Sequence, residues 1–180
     1  MAEKVKICDR TFEVMIPATQ IAESVERVAE RLNANFTDED NVVLLGILNG
    51  SFIFLSDLVR KLNFRVEISF VKIASYEGCN STGEVREMIG LKSSVKGRKV
   101  VIVEDIVDTG HSITHITALL RAQKVASYDV CTLFFKPAAY QGKEEIKYRA
   151  MEIGNEFIVG YGLDYNELGR ELADIYVTKC

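Results

Sequence analysis

The clearest structural signal in the sequence is VVIVEDIVDTGHS, residues 100–112. Four apolar residues lead into three carboxylates within five positions, and a small polar turn follows. Apolar residues then recur at helical spacing from Ile113 to Leu120. A short apolar run rich in valine and isoleucine is typical of a strand buried on both faces. The stretch therefore predicts a buried strand that leads directly into an amphipathic helix.

Strand and helix patterns alternate on both sides of this stretch. Ile21, Val25, Val28 and Leu32 mark one helix; a second begins near Ser51 and buries Leu55, Leu58, Val59 and Leu62. Strands are predicted at 42–48, 66–70 (one face better covered than the other), 100–103 and 130–135, with short ones at 157–159 and 175–177. Residues 75–90 are rich in glycine and polar residues, which predicts a long surface loop.

This alternation predicts an α/β fold with a twisted, mainly parallel sheet flanked by helices. The chain has 180 residues, which favours one domain spanning 1–180. Its core should cover about 18–142, and a small hood should form from about 1–17 and 143–180.

Composition excludes several classes of function. With 22 basic and 26 acidic residues, the net charge of -4 lacks the basic excess that nucleic-acid binding requires. The longest apolar run, 42–48, is too short to cross a membrane, and the first ten residues show no apolar segment of a secretory signal. The four cysteines have no metal-type spacing and are predicted to be reduced thiols. We expect a cytoplasmic protein without a nucleic-acid or membrane partner.

The acidic end of the central strand predicts a ligand site, because parallel sheets bind ligands at the carboxyl ends of their strands. The turn at 109–112 offers hydroxyls, a glycine and the free amides of a helix N-terminus, which suit a phosphate dianion. Glu104 and Asp105 directly precede it, and adjacent carboxylates bind a vicinal diol or Mg²⁺. The expected ligand is a sugar phosphate.

The segment 100–112 resembles the phosphoribosyl-pyrophosphate motif of type I phosphoribosyltransferases. Four other segments match the hypoxanthine-guanine members of that family, in the same order along the sequence, and the match covers nearly the whole chain. Residues 48–51 resemble the pyrophosphate loop, 75–76 with 81–83 the mobile loop, 134–137 the base-reading strand, and 157–167 with Arg170 the C-terminal block.

The resemblance implies the fold of this family, Mg²⁺ as cofactor, phosphoribosyl pyrophosphate and a 6-oxopurine as substrates, and a homodimer or homotetramer. It implies transfer of the phosphoribosyl group to N9 of hypoxanthine or guanine, which yields the mononucleotide and pyrophosphate in purine salvage. Asp108 would be the general base, Lys136 would donate to the purine 6-oxo group, and Phe157 would stack on the base.

Further roles follow from the same resemblance. Glu104 and Asp105 would hold the ribose hydroxyls and a metal ion, Asp164 would lie near a second Mg²⁺, and Arg170 would reach the pyrophosphate. The 5′-phosphate would bind to Thr109, Gly110, His111 and Ser112. The other residues predicted to bind substrate are Asn49, Gly50, Ser75, Tyr76, Ile106, Ile158 and Leu163.

The chain departs from the family pattern at two positions. Asn49 stands where lysine or arginine is usual, so pyrophosphate contact there would depend more on the backbone. His111 stands where lysine or asparagine is common. Neither change affects Asp108, Lys136 or Asp164.

Other functions fit parts of the sequence. Asp108-Thr109-Gly110 matches the short signature of aspartic proteases, but those enzymes need two facing carboxylates in an all-β fold. His111 and His115 are four residues apart, yet no third ligand follows as in a metal site. A regulator that only binds phosphoribosyl pyrophosphate, and a transferase for another base such as xanthine, remain alternatives.

Overall fold

The computed structural model describes residues 4–74, 86–89 and 94–178. Two sheets organise this part of the chain. The larger has six strands in the order β5-β4-β3-β6-β7-β8, all parallel to their neighbours except β5, which pairs antiparallel with β4. Its strands are β3 Val42–Leu48, β4 Val66–Ala74, β5 Arg86–Ile89, β6 Lys99–Val107, β7 Ser127–Phe135 and β8 Tyr148–Glu152.

Helices cover both faces of the larger sheet. The helices are α1 Ala18–Asn33, α2 Phe52–Val59 and α3 His111–Ala122, and a short 3₁₀ helix spans Asp38–Asp40. Leu44 and Val101 pack into the cluster that contains the buried side chains of α1 and α2. Their neighbours Val43 and Val100 belong to the cluster on the α3 side. Because successive side chains of a strand point to opposite faces, both faces of β3 and β6 are buried, as their uninterrupted apolar sequences predict.

The smaller sheet joins the two ends of the described chain. It is antiparallel in the order β1-β2-β10-β9, with β1 Lys4–Ile7, β2 Arg10–Ile16, β9 Ile158–Val159 and β10 Ile175–Thr178. Phe12 and Val159 are fully buried in its own small apolar cluster. This sheet corresponds to the predicted hood, whereas β8 belongs to the larger sheet beyond residue 142, the approximate end predicted for the core.

The predicted α/β fold with a mainly parallel sheet is confirmed, and the differences from the predictions have local causes. β6 continues through Glu104 and Asp105 to Val107, because backbone pairing with β7 extends past its apolar residues. α2 ends at Val59, before Leu62, where the chain turns towards β4.

Three further predictions need correction. The loop predicted at 75–90 is wrong for Arg86–Ile89, which pairs with β4 as an edge strand. The prediction that one face of the strand at 66–70 is covered is wrong at Ile68, which is 44% exposed near the edge of the sheet. No strand was predicted at Tyr148–Glu152, because the sequence YRAME shows neither an apolar run nor an apolar alternation.

Within the ranges described above, none of the helices has the length and apolar character needed to cross a membrane.

Candidate active site

The carboxyl ends of β3, β6 and β7 meet at one edge of the larger sheet. The three strands are adjacent and parallel, so the segments that follow Leu48, Val107 and Phe135 leave the sheet side by side. Each of these segments carries residues that the sequence predicted to bind substrate. Parallel pairing therefore brings together groups that are up to 87 positions apart in the chain.

The turn after β6, residues 109–112, presents backbone amides in an arrangement that suits an anion and is named the anion-binding turn. Gly110 has a φ of 87° and immediately precedes α3. The first helical hydrogen bond runs from the Thr114 amide to the Gly110 carbonyl, so the amides of the preceding residues point away from the helix N-terminus. A pocket at this point is lined by Glu104 and by residues 106–113. An anion bound here would meet unpaired donors and the positive end of the helix dipole.

Two buried carboxylates lie at the end of β6. Glu104 is 8% and Asp105 9% exposed, and among the described residues Oε2 of Glu104 has no hydrogen-bond partner. Burial and the neighbouring charge of Asp105 raise the pKa of Glu104 well above its usual value. Burial likewise raises the pKa of Asp105, to about 6. Both carboxylates would be stabilised as anions by a cation or by hydroxyl donors.

The segment after β3 lies against Asp105. The Leu48-Asn49 peptide bond is cis, and Gly50 follows it. A Cβ atom on Gly50 would lie 1.6 Å from Oδ2 of Asp105, so only glycine allows this approach. The site residues Asn49, Gly50 and Asp105 are thus brought together.

The C-terminal block reaches the same place through Gly162. This residue has a φ of 101°, and a Cβ atom on it would lie 2.2 Å from the Gly50 carbonyl oxygen. Gly162 was not predicted as a site residue; its position within the family-like block is the signal that could have identified it. Its close approach places Gly162 beside the segment after β3.

Lys136 and Asp108 form an ion pair at the ends of neighbouring strands. Nζ of Lys136 donates to Oδ2 of Asp108 at 2.9 Å, and the Lys136 amide donates to the Val107 carbonyl. The side chain of Lys136 is 9% exposed, whereas that of Asp108 is 48% exposed. A buried lysine normally requires such a partner. The pair presents one cationic donor and one carboxylate acceptor next to the anion-binding turn.

Arg170 connects the acidic residues of the C-terminal block. It lies 2.7 Å from Oδ1 of Asp164, donates to the Gly162 carbonyl and pairs with Glu167. The charges of Arg170 and Asp164 both act on the Asp105 carboxyl group, in opposite directions. Asp164 and Arg170 therefore belong to the electrostatic environment of the site.

The remaining predicted residues are less closely connected. Phe157 is 45% exposed and contacts Tyr165 edge to face, with ring centroids 5.8 Å apart. Ile158 is buried in β9, and Leu163 hydrogen-bonds to Gly160 in a tight turn. The predicted residues Ser75 and Tyr76 lie outside the described part of the chain.

The carboxylates at the end of β6 have the character of a Mg²⁺ site, although the predicted metal ligands do not form a closed cluster. Across residues 4–74 and 94–178, no three His, Cys, Asp or Glu side chains come together as a complete metal site. However, the orphaned oxygen of Glu104 and the adjacent Asp105 supply the hard, negatively charged oxygens that Mg²⁺ prefers. Because Mg²⁺ keeps several ligands from water and substrate phosphates, two protein carboxylates fit it.

Comparison with known proteins agrees with this geometry. The model of the phosphoribosyl transferase domain matches residues 17–166. The chain belongs to the phosphoribosyl transferase family. This confirms the type I phosphoribosyltransferase resemblance that the segment 100–112 indicated.

The similar proteins are named hypoxanthine-guanine or hypoxanthine phosphoribosyltransferases. The chain is 40% identical over 161 residues to a hypoxanthine-guanine phosphoribosyltransferase of Staphylococcus aureus, covering 87% of this chain and 90% of the relative. The crystal structure of a hypoxanthine phosphoribosyltransferase from the same species is 38% identical, with a TM-score of 0.86 over 93% of this chain and 91% of that one. A hypoxanthine phosphoribosyl transferase from Trypanosoma cruzi, studied for its C-terminal region, is 30% identical with a TM-score of 0.86, covering 97% and 95%.

Proposed function

We propose that the protein transfers the 5-phosphoribosyl group from phosphoribosyl pyrophosphate to N9 of hypoxanthine or guanine. The products are IMP or GMP and pyrophosphate. The observation that carries the proposal is the Lys136-Asp108 pair beside the amide-lined turn, because it joins purine recognition to phosphate binding at one sheet edge. The names of the relatives support the same substrates.

The anion-binding turn and the two carboxylates would hold the phosphoribosyl group. The amides and hydroxyls of Thr109, Gly110, His111 and Ser112 would bind the 5′-phosphate. Glu104 and Asp105 would accept hydrogen bonds from the ribose hydroxyls, which would satisfy the orphaned Glu104 oxygen.

Lys136 and Asp108 would each contact the purine and would have different roles. Nζ of Lys136 would donate to the 6-oxo oxygen, and the Asp108 carboxylate would accept the proton of the imidazole ring. As N9 bonds to C1′, the bond from C1′ to pyrophosphate breaks and the purine proton ends on Asp108. Adenine presents an amino donor at position 6, which would leave Lys136 without an acceptor.

Mg²⁺, when bound, would neutralise the charge that develops on the departing pyrophosphate. Glu104 and Asp105 are the proposed protein ligands of one ion, and Asp164 would lie near a second. Arg170, Asn49 and Gly50 would contact the pyrophosphate, where Asn49 contributes no charge.

The remaining contacts would position the base and cover the site. Phe157 would stack on the purine with its exposed face, while Ile158 and Leu163 would line the base site. Ile106 would contribute to the ribose phosphate site, and Ser75 and Tyr76, which lie outside the described residues, are proposed to contact the substrate. We further propose a cytoplasmic homodimer or homotetramer, as the family resemblance implies.

Pyrophosphate release in the presence of Mg²⁺, phosphoribosyl pyrophosphate and each of hypoxanthine, guanine, xanthine and adenine tests the function. We expect turnover with hypoxanthine and guanine and little with adenine, because only a 6-oxo group accepts from Lys136. Faster turnover with adenine would overturn the role of Lys136. Preference for xanthine would identify a transferase for another base, and binding of phosphoribosyl pyrophosphate without any turnover would indicate a regulator.

Replacement of Lys136 tests whether this side chain distinguishes hypoxanthine from adenine. Lys136→Met should lose discrimination between hypoxanthine and adenine, whereas the control Lys143→Met, at an exposed position after β7, should retain it.

A further inference from the structure

The segment 137–144, between β7 and β8, lies against the anion-binding turn. The Gln141 amide donates to the Thr109 carbonyl at 3.1 Å. The ring of Tyr140 packs on Gly110 so closely that a Cβ atom there would lie 2.4 Å from Cε2 of Tyr140. Two consecutive residues of another segment thus hold Thr109 and Gly110, and Tyr140 is not among the residues that line the pocket of the turn.

Tyr140 is itself held in place from three sides. Its amide donates to the Lys136 carbonyl, and its hydroxyl donates to the Glu144 carbonyl at 2.7 Å. Its ring meets Phe135 edge to face, with centroids 5.4 Å apart. The orientation of the ring is therefore set before any ligand binds.

The far end of the segment is attached to the same helix that begins at the turn. The carboxylate of Glu144 accepts from Arg121 in the last turn of α3 at 2.6 Å and from Tyr128 of β7 at 2.9 Å. The segment 137–144 thus spans α3 from its N-terminal turn to its last turn. It holds the backbone of the turn relative to the helix whose amides face the anion.

We propose that Tyr140 is a positioning residue for the phosphate of the substrate. Its ring supports Gly110, so that the amides at the start of α3 converge on one point. This inference rests on the proposed function, since that function identifies the anion as the 5′-phosphate. Tyr140 touches the turn from behind rather than the substrate, and no sequence pattern predicted it, because an isolated tyrosine between proline and glycine usually belongs to a surface loop.

Binding of ribose 5-phosphate, measured by calorimetry, tests the proposal without requiring turnover. Tyr140→Leu removes the flat ring, and a displaced turn should weaken ribose 5-phosphate binding about tenfold and raise KM for phosphoribosyl pyrophosphate similarly. KM for hypoxanthine at saturating phosphoribosyl pyrophosphate should change less than about twofold, because Lys136 keeps its own backbone bond to Val107. Tyr140→Met serves the same purpose if the leucine variant does not fold.

Two controls separate the ring from its surroundings. Tyr140→Phe keeps the ring and loses only the bond to Glu144, so its affinity for ribose 5-phosphate should be unchanged. Tyr128→Phe removes a bond to the Glu144 side chain without touching the turn and should also bind normally.

Unchanged ribose 5-phosphate affinity in a folded leucine or methionine variant would overturn the proposal. Equal losses for hypoxanthine and for ribose 5-phosphate would also overturn it, because they would indicate a general structural effect. If the wild type binds ribose 5-phosphate but transfers nothing to purines, the proposed function fails while the binding series still decides the role of Tyr140.

Discussion

The acidic end of β6 and the C-terminal block, residues 157–170, differ in how their carboxylates are compensated. At the end of β6, Glu104 and Asp105 are buried side by side, and burial raises the pKa of both carboxyl groups. In the C-terminal block, Arg170 compensates Asp164 and Glu167 within a few residues. Among the described residues, Oε2 of Glu104 has no hydrogen-bond partner, and a ligand could supply one, whereas Asp164 and Glu167 each pair with Arg170. This contrast separates groups arranged for a ligand from groups that also stabilise the fold.

The largest expected effect is on catalysis and comes from Asp108, the carboxylate that follows β6. Asp108→Asn should lower kcat by about 10²- to 10⁴-fold, because the amide cannot accept the purine proton. KM for phosphoribosyl pyrophosphate should change little. Single-turnover measurements of nucleotide formation provide the test.

The matched control is Asp129→Asn, which also removes a carboxylate that pairs with a lysine, Lys147, but away from the site. It should retain wild-type kcat. If Asp108→Asn forms nucleotide at the wild-type rate, Asp108 is not the general base.

A smaller effect should appear in the stability of the metal-free protein when Asp105 is replaced. The pKa of Asp105 is about 6 when folded against 3.8 ordinarily, so the folded state binds the proton more tightly. This carboxyl group therefore costs the folded protein stability as the pH rises from about 4 through 6. Asp105→Asn should remove that cost and be more stable than the wild type by about 1–3 kcal/mol at pH 8.

Urea unfolding in a chelator at pH 4 and pH 8 measures this difference. The advantage of the Asp105→Asn variant should shrink towards pH 4, where the wild-type carboxyl group is protonated in the folded state. If the difference in unfolding free energy between the two proteins does not depend on pH, burial does not raise the pKa of Asp105.

The smallest expected effect is a loss of stability, when Arg170 of the C-terminal block is replaced. Arg170→Gln leaves Asp164 without its cation and removes a donor to the Gly162 carbonyl. We expect a loss of about 1 kcal/mol in unfolding free energy at pH 7, since both side chains are partly buried. Thermal unfolding measures this loss. The control is Arg65→Gln, because the side chain of Arg65 pairs with Asp38 but is 86% exposed.

An Arg170→Gln variant as stable as the wild type would remove the distinction between the two regions. It would show that the ion pairs of Arg170 do not stabilise the fold.

Much of the fold and of the first region was predictable because the relevant signals are local. The run 100–103, the carboxylates after it and the glycine before α3 all lie between positions 100 and 110, so a single pattern contains strand, turn and helix start. Strand β8 was not predicted, because its residues acquire strand structure only by pairing with β7. The role of Tyr140 was equally invisible, since its partner Gly110 is 30 positions away.

The amino-acid sequence alone determined the alternating α/β architecture, the buried strands and the kinds of groups that follow the central strand. Apolar periodicity and turn chemistry act over a few residues, so they can be read without knowing what lies nearby. Tertiary structure alone decided that Lys136 pairs with Asp108, that Gly162 lies on Gly50 and that burial raises the pKa of Glu104 and Asp105. Those properties depend on distance and on exclusion of water, which only the packing of separate strands establishes.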